Sequence, residues 1–210
     1  MTTSAKFATC RPKPGKGMTR PPADQPQFGV RWIDQFLRWR LGHRSLAGHA
    51  RSVASCPPKL KEQFVKGRAI RLATPADIDA IFHIRTSVQK NHLSLDQLAE
   101  VGITHQAIQQ AILEAPCAWV AEVDGVPVGF SMADVVDACV FAAFVLPEFE
   151  GLGLGRSLMN KAEEFLFQHH QTIWLETAEA SRASGFYRAL GWQHVEDLPE
   201  GDVRFEKHRR

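Results

Sequence analysis

The sequence predicts an α/β (α+β) domain over residues 69–210, with a mixed, mostly antiparallel sheet flanked by helices. Three observations lead to this prediction. Short apolar runs alternate with longer segments of helical periodicity. Asp124-Gly125, between two such runs, is a strong signal for a β-hairpin turn. A glycine-rich segment then joins a buried strand to a long amphipathic helix, which predicts one parallel crossover late in the chain.

The first half of the domain is predicted to contain one strand followed by three helices. Thr74 provides a hydroxyl cap for the first helix, Pro75 suits its first position and Asp77 places an acid in its first turn. Gly102 ends the second helix. The predicted strand is Ala69–Ala73, and the predicted helices are Pro75–Lys90, Ser94–Val101 and Thr104–Glu114.

The second half of the domain is predicted to contain most of the sheet. Cys139–Val145 is a continuous apolar run, which is typical of a strand buried on both faces. Gly191 ends the last helix. The predicted strands are Ala118–Val123, Val126–Val135, Cys139–Val145, Thr172–Thr177, Trp192–Val195 and Val203–Lys207, and the predicted helices are Leu154–His169 and Ser181–Leu190.

Residues 1–68 form a basic extension that differs from the domain. They carry 14 Lys and Arg against 3 Asp and Glu, whereas residues 69–210 carry 11 against 20. Residues 1–27 have too few apolar side chains to bury a core and are expected to be disordered. Residues 28–42 predict a basic aromatic helix, which either packs on the domain or in a homodimer, or attaches to nucleic acid or an anionic membrane surface.

The remaining composition predicts a cytoplasmic protein without a metal site. No apolar run approaches the ~18–20 residues of a membrane span, and the first 25 residues contain no signal-peptide core. The four cysteines form no C-x-x-C pair, and their spacing matches no zinc or disulfide framework. This cysteine usage fits a reducing compartment.

The most informative segment is the glycine-rich loop that precedes the long helix. Gly151, Gly153 and Gly155 alternate there, so that successive backbone N–H groups at a helix N-terminus can cradle a phosphate or pyrophosphate. Arg156 adds a positive charge in the first helical turn. A dinucleotide fingerprint is excluded because its third glycine is absent, and a P-loop is excluded because no lysine follows Gly155.

Two motifs carry a resemblance to a known family. The segment 150–155 follows a V-x-P sequence at 145–147 and is similar to the family motif [QR]-x-x-G-x-[GA]; the segment 183–192 is similar to A-x-x-[LF]-Y-x-x-x-G-[FW]. Residues 70–208 thus resemble the GNAT superfamily of acetyl-CoA-dependent N-acetyltransferases. The chain departs from the family at Glu150, where Gln or Arg is usual, and at Ala180, where Asn is frequent.

The resemblance implies an N-acetyltransferase that moves an acetyl group from acetyl-CoA to a primary amine of a small molecule or peptide by direct attack. It implies a splayed central strand along which the cofactor lies, and it assigns Tyr187, the only tyrosine of the chain, as general acid. A module that binds acetyl-CoA without turnover is the alternative, since Glu150 cannot donate to pyrophosphate. The implied cofactor-binding residues are Phe144, Val145, Leu146, Gly151, Leu152, Gly153, Leu154, Gly155 and Arg156.

The general base and the acceptor are less determined. Glu176, near the end of a predicted strand, is the first choice for the base; the other candidates are Glu122, Asp134, Asp137 and His83. The family places acceptor binding in the region that corresponds to residues 85–115. The acidic domain favours a cationic acceptor such as a polyamine, an aminoglycoside or lysine.

Overall fold

Seven strands and five α-helices make up the described part of the chain. A computed structural model describes residues 67–88 and 93–210, so the helix predicted over residues 28–42 lies outside it. Within the described residues, no helix is long and apolar enough to cross a bilayer. The strands are β1 (Arg68–Leu72), β2 (Ala118–Val123), β3 (Val126–Asp134), β4 (Cys139–Val145), β5 (Thr172–Ala178), β6 (Gln193–Asp197) and β7 (Asp202–His208). The helices are α1 (Ile78–Ser87), α2 (Leu95–Glu100), α3 (His105–Glu114), α4 (Leu154–His169) and α5 (Arg182–Ala189).

The strands form one sheet with the order β1-β2-β3-β4-β5-β7-β6. Neighbouring strands from β1 to β4 are antiparallel, and β7 pairs antiparallel with both β5 and β6. β4 and β5 are the parallel pair, and α4 connects them along the chain. The sheet is therefore mixed and mostly antiparallel with one parallel crossover, which confirms the predicted fold class.

Most predicted element bounds agree with the structure to within one residue, and two differ more. The helix predicted over Pro75–Lys90 ends at Ser87, because the backbone of Val88 is extended. The first helix begins as a 3₁₀ turn over Pro75–Asp77 before α1 starts at Ile78, because the backbone N–H and the hydroxyl of Thr74 both donate to Asp77 Oδ2, at 2.7 and 2.8 Å. β6 starts after Trp192, whose buried indole N–H donates to Glu163 of α4 at 2.8 Å, and it extends to Asp197 because its antiparallel pairing with β7 continues to that residue.

The sheet separates two hydrophobic clusters. On one face, α4 and α5 pack against the strands, and on the other face α1, α2 and α3 cover β2, β3 and β4. Every central strand contributes side chains to one or both clusters. This packing fixes the position of each strand within the sheet. Fully buried members are Leu158, Leu166, Ile173 and Phe205 on the α4 face, and Ile84, Leu98 and Val120 on the α1 face.

The helices differ in how they begin. Ser94, Thr104 and Ser181 each accept a backbone hydrogen bond in the first turn of α2, α3 and α5, as N-cap residues do. α4 instead follows Gly153, which offers no side-chain acceptor. The first-turn N–H groups of this helix therefore lack a side-chain cap and can bind a ligand instead.

Candidate active site

The central feature of the site is the separation of the two parallel strands β4 and β5. Their register contains a single pair, Cys139 with Trp174, supported by a 3.0 Å hydrogen bond from the Trp174 N–H to the Ala138 carbonyl. Beyond this pair the strands diverge, and residues 141–145 are only half-buried although they lie in the middle of the sheet. The divergence opens a wedge between β4 and β5, as the family resemblance implies.

The backbone of β4 presents hydrogen-bonding groups to this wedge. The N–H of Leu146 donates to the carbonyl of Val128, in the neighbouring strand β3, at 2.8 Å. Because N–H groups alternate in direction along a strand, the N–H of Val145 points away from β3 and towards the wedge. Gly129 opposite Val145 lets the two strands approach closely, since a Cβ there would lie 2.9 Å from the carbonyl oxygen of Phe144. The open edge of β4 can therefore pair with an extended ligand.

The glycine loop connects the end of β4 to the start of α4. A 3₁₀ turn over Pro147–Phe149 leads into it, and both Gly151 and Gly153 adopt a φ of 81°, which favours glycine. The uncapped N–H groups of the first turn and the exposed Arg156 lie at the same helix end. Together they provide donors and positive charge for an anion such as a pyrophosphate.

Two arginines contact this loop that the sequence analysis did not single out. Arg182, at the start of α5, donates to Glu150 Oε2 at 3.2 Å, so the acidic departure from the family motif has a cationic partner. Arg68 of β1 donates to the Leu152 carbonyl at 3.0 Å. Neither contact has a local sequence signal, because each joins segments that are far apart in the chain.

Tyr187 lies on α5, in the hydrophobic cluster on the α4 face of the sheet. Its ring centroid is 6.3 Å from that of Trp192 and 6.2 Å from that of Phe205, and the residue is only 9% exposed. Burial raises the pKa of the Tyr187 hydroxyl to about 12. The phenol is protonated at physiological pH with or without this shift, and the raised pKa makes it a weaker acid than an exposed tyrosine. Its role as general acid stays a prediction.

Glu176 lies within β5 on the opposite face of the sheet from Tyr187. Its neighbours Leu175 and Thr177 are buried and Leu175 belongs to the α4-face cluster, so strand alternation directs Glu176 to the other face. The Nε and Nη2 groups of Arg204 both donate to Glu176 Oε1, at 3.1 and 2.7 Å. Its role as base stays a prediction, and Arg204, which sequence reasoning missed, is its partner.

The other candidate bases have structural partners or positions away from the wedge. Glu122 accepts from Arg71 Nε at 2.8 Å, between β1 and β2. Asp134 Oδ1 accepts from the N–H of Val136 at 2.8 Å within the β3–β4 turn. His83 is exposed on α1. Asp137 lies in the turn before β4, at the end where β4 and β5 are still paired, and its backbone carbonyl accepts from the Trp174 indole at 2.6 Å.

A small apolar pocket lies beside β4 on the α1 face. Its single charged lining residue is Arg85, which is 8% exposed and whose guanidinium lies 4.7 Å from the ring centroid of Phe144. Three of its lining residues, Arg85, Ile103 and Ile108, belong to the region 85–115 where the resemblance implies acceptor binding, and the others come from α1, β3 and β4. Its lining residues are Ile81, Phe82, Arg85, Ile103, Ile108, Phe130, Met132, Phe141 and Ala142.

Comparisons with known proteins agree with this arrangement. The model of the acetyltransferase (GNAT) family matches residues 80–192, which is more than half of the chain. The chain is 32% identical over 75 residues to the ribosomal protein bS18-alanine N-acetyltransferase of Haemophilus influenzae, an alignment that covers 33% of this chain and 49% of that relative. It is 35% identical over 88 residues to an uncharacterized N-acetyltransferase of Archaeoglobus fulgidus, covering 38% of this chain and 57% of the relative.

The aligned part of the chain thus spans about half the length of these curated relatives. The fold is also similar to the crystal structure of the PaiA N-acetyltransferase from Thermoplasma acidophilum in complex with coenzyme A. The TM-score is 0.58 at 16% identity, over 69% of this chain and 100% of the other. From the family match, the motifs and the sheet order, we conclude that the chain belongs to the acetyltransferase (GNAT) family.

Proposed function

We propose that this chain transfers an acetyl group from acetyl-CoA to a primary amine of a small molecule or peptide. The observation that carries the proposal is the wedge between β4 and β5, which leads directly into the uncapped N-terminus of α4. In the overall reaction, R–NH₃⁺ and acetyl-CoA give R–NH–CO–CH₃, CoA–SH and one proton. The C–S bond of the thioester breaks as the new C–N bond forms.

The described residues fit acetyl-CoA in chemical type. The open edge of β4 over residues 144–146 offers backbone groups for the amides of the pantetheine arm, and the N–H of Val145, which faces the wedge, would be a donor for the acetyl carbonyl. The loop 151–155 and Arg156 offer N–H groups and charge for the pyrophosphate. When bound, acetyl-CoA supplies an activated thioester.

Tyr187 and Glu176 suit opposite roles because they lie on opposite faces of the sheet. Tyr187 holds its proton and can donate it to the departing thiolate. Glu176 keeps a carboxylate oxygen that Arg204 does not use, and this oxygen can accept a proton from the ammonium group of the acceptor. The acceptor amine must be neutral before it attacks, so a proton acceptor on its side of the sheet is required.

The pocket beside β4 favours an acceptor with a small apolar group next to its amine. Among the described residues its lining is apolar apart from Arg85, and it includes no carboxylate that could pair with a cationic acceptor. One relative is named for acetylating the alanine of a ribosomal protein, which is an amine of this kind. A peptide with an N-terminal alanine is therefore the first acceptor to test, ahead of the cationic acceptors that the overall charge favours.

The test is a thiol-release assay with acetyl-CoA and a panel of amines. The panel contains an alanine-initiated peptide, the same peptide with a blocked N-terminus and an internal lysine, a polyamine and an aminoglycoside. Acetylation of one of them, confirmed by mass spectrometry, would support the proposal. Binding of acetyl-CoA in a thermal-shift assay without turnover of any amine would instead support the non-catalytic module, which Glu150 favours.

A further inference from the structure

We propose that Arg204 is a positioning residue for the proton acceptor Glu176, an inference that rests on the proposed function. The two residues face each other directly in the antiparallel register of β5 and β7. Side chains that face each other across an antiparallel pair have Cβ atoms about 5 Å apart, so the sheet itself holds this pair together. Arg204 thereby acts on the reaction through Glu176 rather than by contact with the acceptor.

The hydrogen bonds between them are one-sided. Both guanidinium donors, Nε and Nη2, bond to the same carboxylate oxygen, Glu176 Oε1. The other oxygen, Oε2, accepts no hydrogen bond from the described residues. Arg204 therefore fixes Oε1 and leaves Oε2 as the oxygen available to a proton, in a side chain that is only 9% exposed.

Arg204 is itself held in place by groups other than Glu176. Its guanidinium carbon lies 4.5 Å from the ring centroid of Trp174, and Nη1 lies 3.9 Å from Oε2 of Glu196 on the next strand. The indole N–H of Trp174 is fixed by the Asp137 carbonyl at 2.6 Å. Arg204 is 24% exposed, so these contacts restrict a side chain that would otherwise be flexible.

The consequence for the reaction is geometric. A carboxylate fixed through one oxygen presents the other in a constant direction, which favours proton transfer from an acceptor held nearby. Without the guanidinium, the carboxylate loses the two hydrogen bonds that fix its orientation. We therefore expect loss of Arg204 to lower kcat with the best amine, while the affinity for acetyl-CoA is unchanged because its binding residues lie on β4 and α4.

The experiment is a double-mutant cycle in the full-length protein with R204Q, E176Q and R204Q/E176Q. The readouts are kcat and KM for both substrates, acetyl-CoA affinity by calorimetry and the melting temperature. We expect E176Q to lower kcat about 100-fold and R204Q about 10-fold. In the E176Q background, R204Q should change kcat less than about twofold, because a residue that acts only through Glu176 has no effect once the carboxylate is gone.

R188Q is the matched control, because it removes the same charge from an arginine that also lies against an aromatic ring. The guanidinium carbon of Arg188 is 5.6 Å from the ring centroid of Phe205. It should keep kcat within about twofold of the wild type. If R204Q does not fold, R204K carries the test: it keeps the charge but loses the planar fork, and we expect it to retain an intermediate kcat with an unchanged KM for acetyl-CoA.

The outcomes separate this inference from the proposed function. An active wild type in which R204Q or R204K matches the wild-type kcat overturns the inference alone. The same holds if the effects of R204Q and E176Q on kcat are additive, or if R204Q weakens acetyl-CoA binding as much as it lowers kcat. A wild type that binds acetyl-CoA but acetylates no amine overturns the proposed function, and the inference with it.

Discussion

Tyr187 is an aromatic residue whose packing and proton both bear on its predicted role. Its ring is enclosed by Phe186, Trp192 and Phe205, which a phenylalanine could equally well contact. The hydroxyl adds nothing to that packing, and burial raises its pKa to about 12. At the scale of the single residue, the hydroxyl is thus separable from the fold and can be tested by removing one atom.

Tyr187→Phe should lower kcat by about 100-fold while the melting temperature changes little, since a general acid contributes about 10²–10⁴-fold and the ring contacts remain. The measurement is thiol release with the best amine, with acetyl-CoA affinity measured in parallel. Phe186→Leu, which changes an adjacent ring without removing a proton donor, is the control and should keep most of the activity. An unchanged kcat for Tyr187→Phe across the pH range would contradict the general-acid role.

Glu150 is a second residue whose effect can be isolated. Its carboxylate lies at the head of the glycine loop, where an anionic ligand is proposed to bind, and it occupies Arg182. Glu150→Gln removes a charge that repels an anion and releases Arg182 from its ion pair. A charge interaction in a solvated site contributes about 1 kcal/mol to binding, so we expect acetyl-CoA to bind about fivefold more tightly. Calorimetric titration measures this change.

Glu164→Gln is the control for this prediction. Like Glu150→Gln, this substitution removes an exposed ion pair, here the one between Glu164 and Lys161 at 2.8 Å. Glu164 lies in the middle of α4, away from the glycine loop. Its substitution should leave acetyl-CoA affinity unchanged. Weaker binding of acetyl-CoA to Glu150→Gln would show that the carboxylate supports the loop rather than opposing the ligand.

At the scale of elements, the glycine loop is the joint between the open strand β4 and the helix α4. Gly153 has a φ of 81° and nothing within 4 Å of the position that a Cβ would take. An alanine there meets no steric clash, yet its backbone is strained by about 1–2 kcal/mol in the left-handed region. The loop can relieve this strain by leaving the conformation in which its N–H groups converge.

Gly153→Ala should therefore weaken acetyl-CoA binding by about fivefold or more. Gly201→Ala is a closely matched control, because Gly201 has a φ of 83° and equally free space but lies in the turn before β7. Both variants should lower the melting temperature to a similar extent, and only Gly153→Ala should change the affinity. Equal affinities in the two variants would show that the loop conformation is not needed for binding.

Element bounds were largely predictable from the sequence, whereas contacts between elements were not. The run Cys139–Val145 and the hairpin turn at Asp124-Gly125 have local signals, and the turn residues indeed adopt φ values of 51° and 78°. The pairing of Glu176 with Arg204 depends on the register of β5 against β7. No local pattern specifies that register, so the sequence could suggest Glu176 but not the residue that holds it.

For the whole molecule, the edge strand β1 is tied to the domain by a charged network. Arg71 donates through Nη1 and Nη2 to the two oxygens of Asp77, at 2.7 and 2.6 Å, and through Nε to Glu122 at 2.8 Å. Asp77 also accepts from the backbone N–H and the hydroxyl of Thr74. One arginine thus joins β1, the start of the first helix and β2 through charged hydrogen bonds.

The network makes the stability of the whole domain depend on pH in an identifiable way. The Arg71 guanidinium, followed by the hydrogen bonds from Thr74, lowers the pKa of Asp77 to about 2 from its ordinary value of 3.8. A carboxylate with a lowered pKa stabilises the folded state fully above its unfolded pKa. That stabilisation is lost as the pH falls from about 4 through about 2, where the folded-state carboxylate also takes up a proton.

Asp77→Asn should therefore lower the free energy of unfolding at pH 7 by about 2–3 kcal/mol, since it removes charged hydrogen bonds from a buried group. The gap between the wild type and this variant should narrow as the pH falls from 4 to 2, measured by urea unfolding of both proteins at each pH. Asp79→Asn, two residues along, is the control because its side chain is 97% exposed, and its unfolding free energy should stay close to that of the wild type. A gap that persists undiminished to pH 2 would show that the charge of Asp77 is not what ties β1 to the domain.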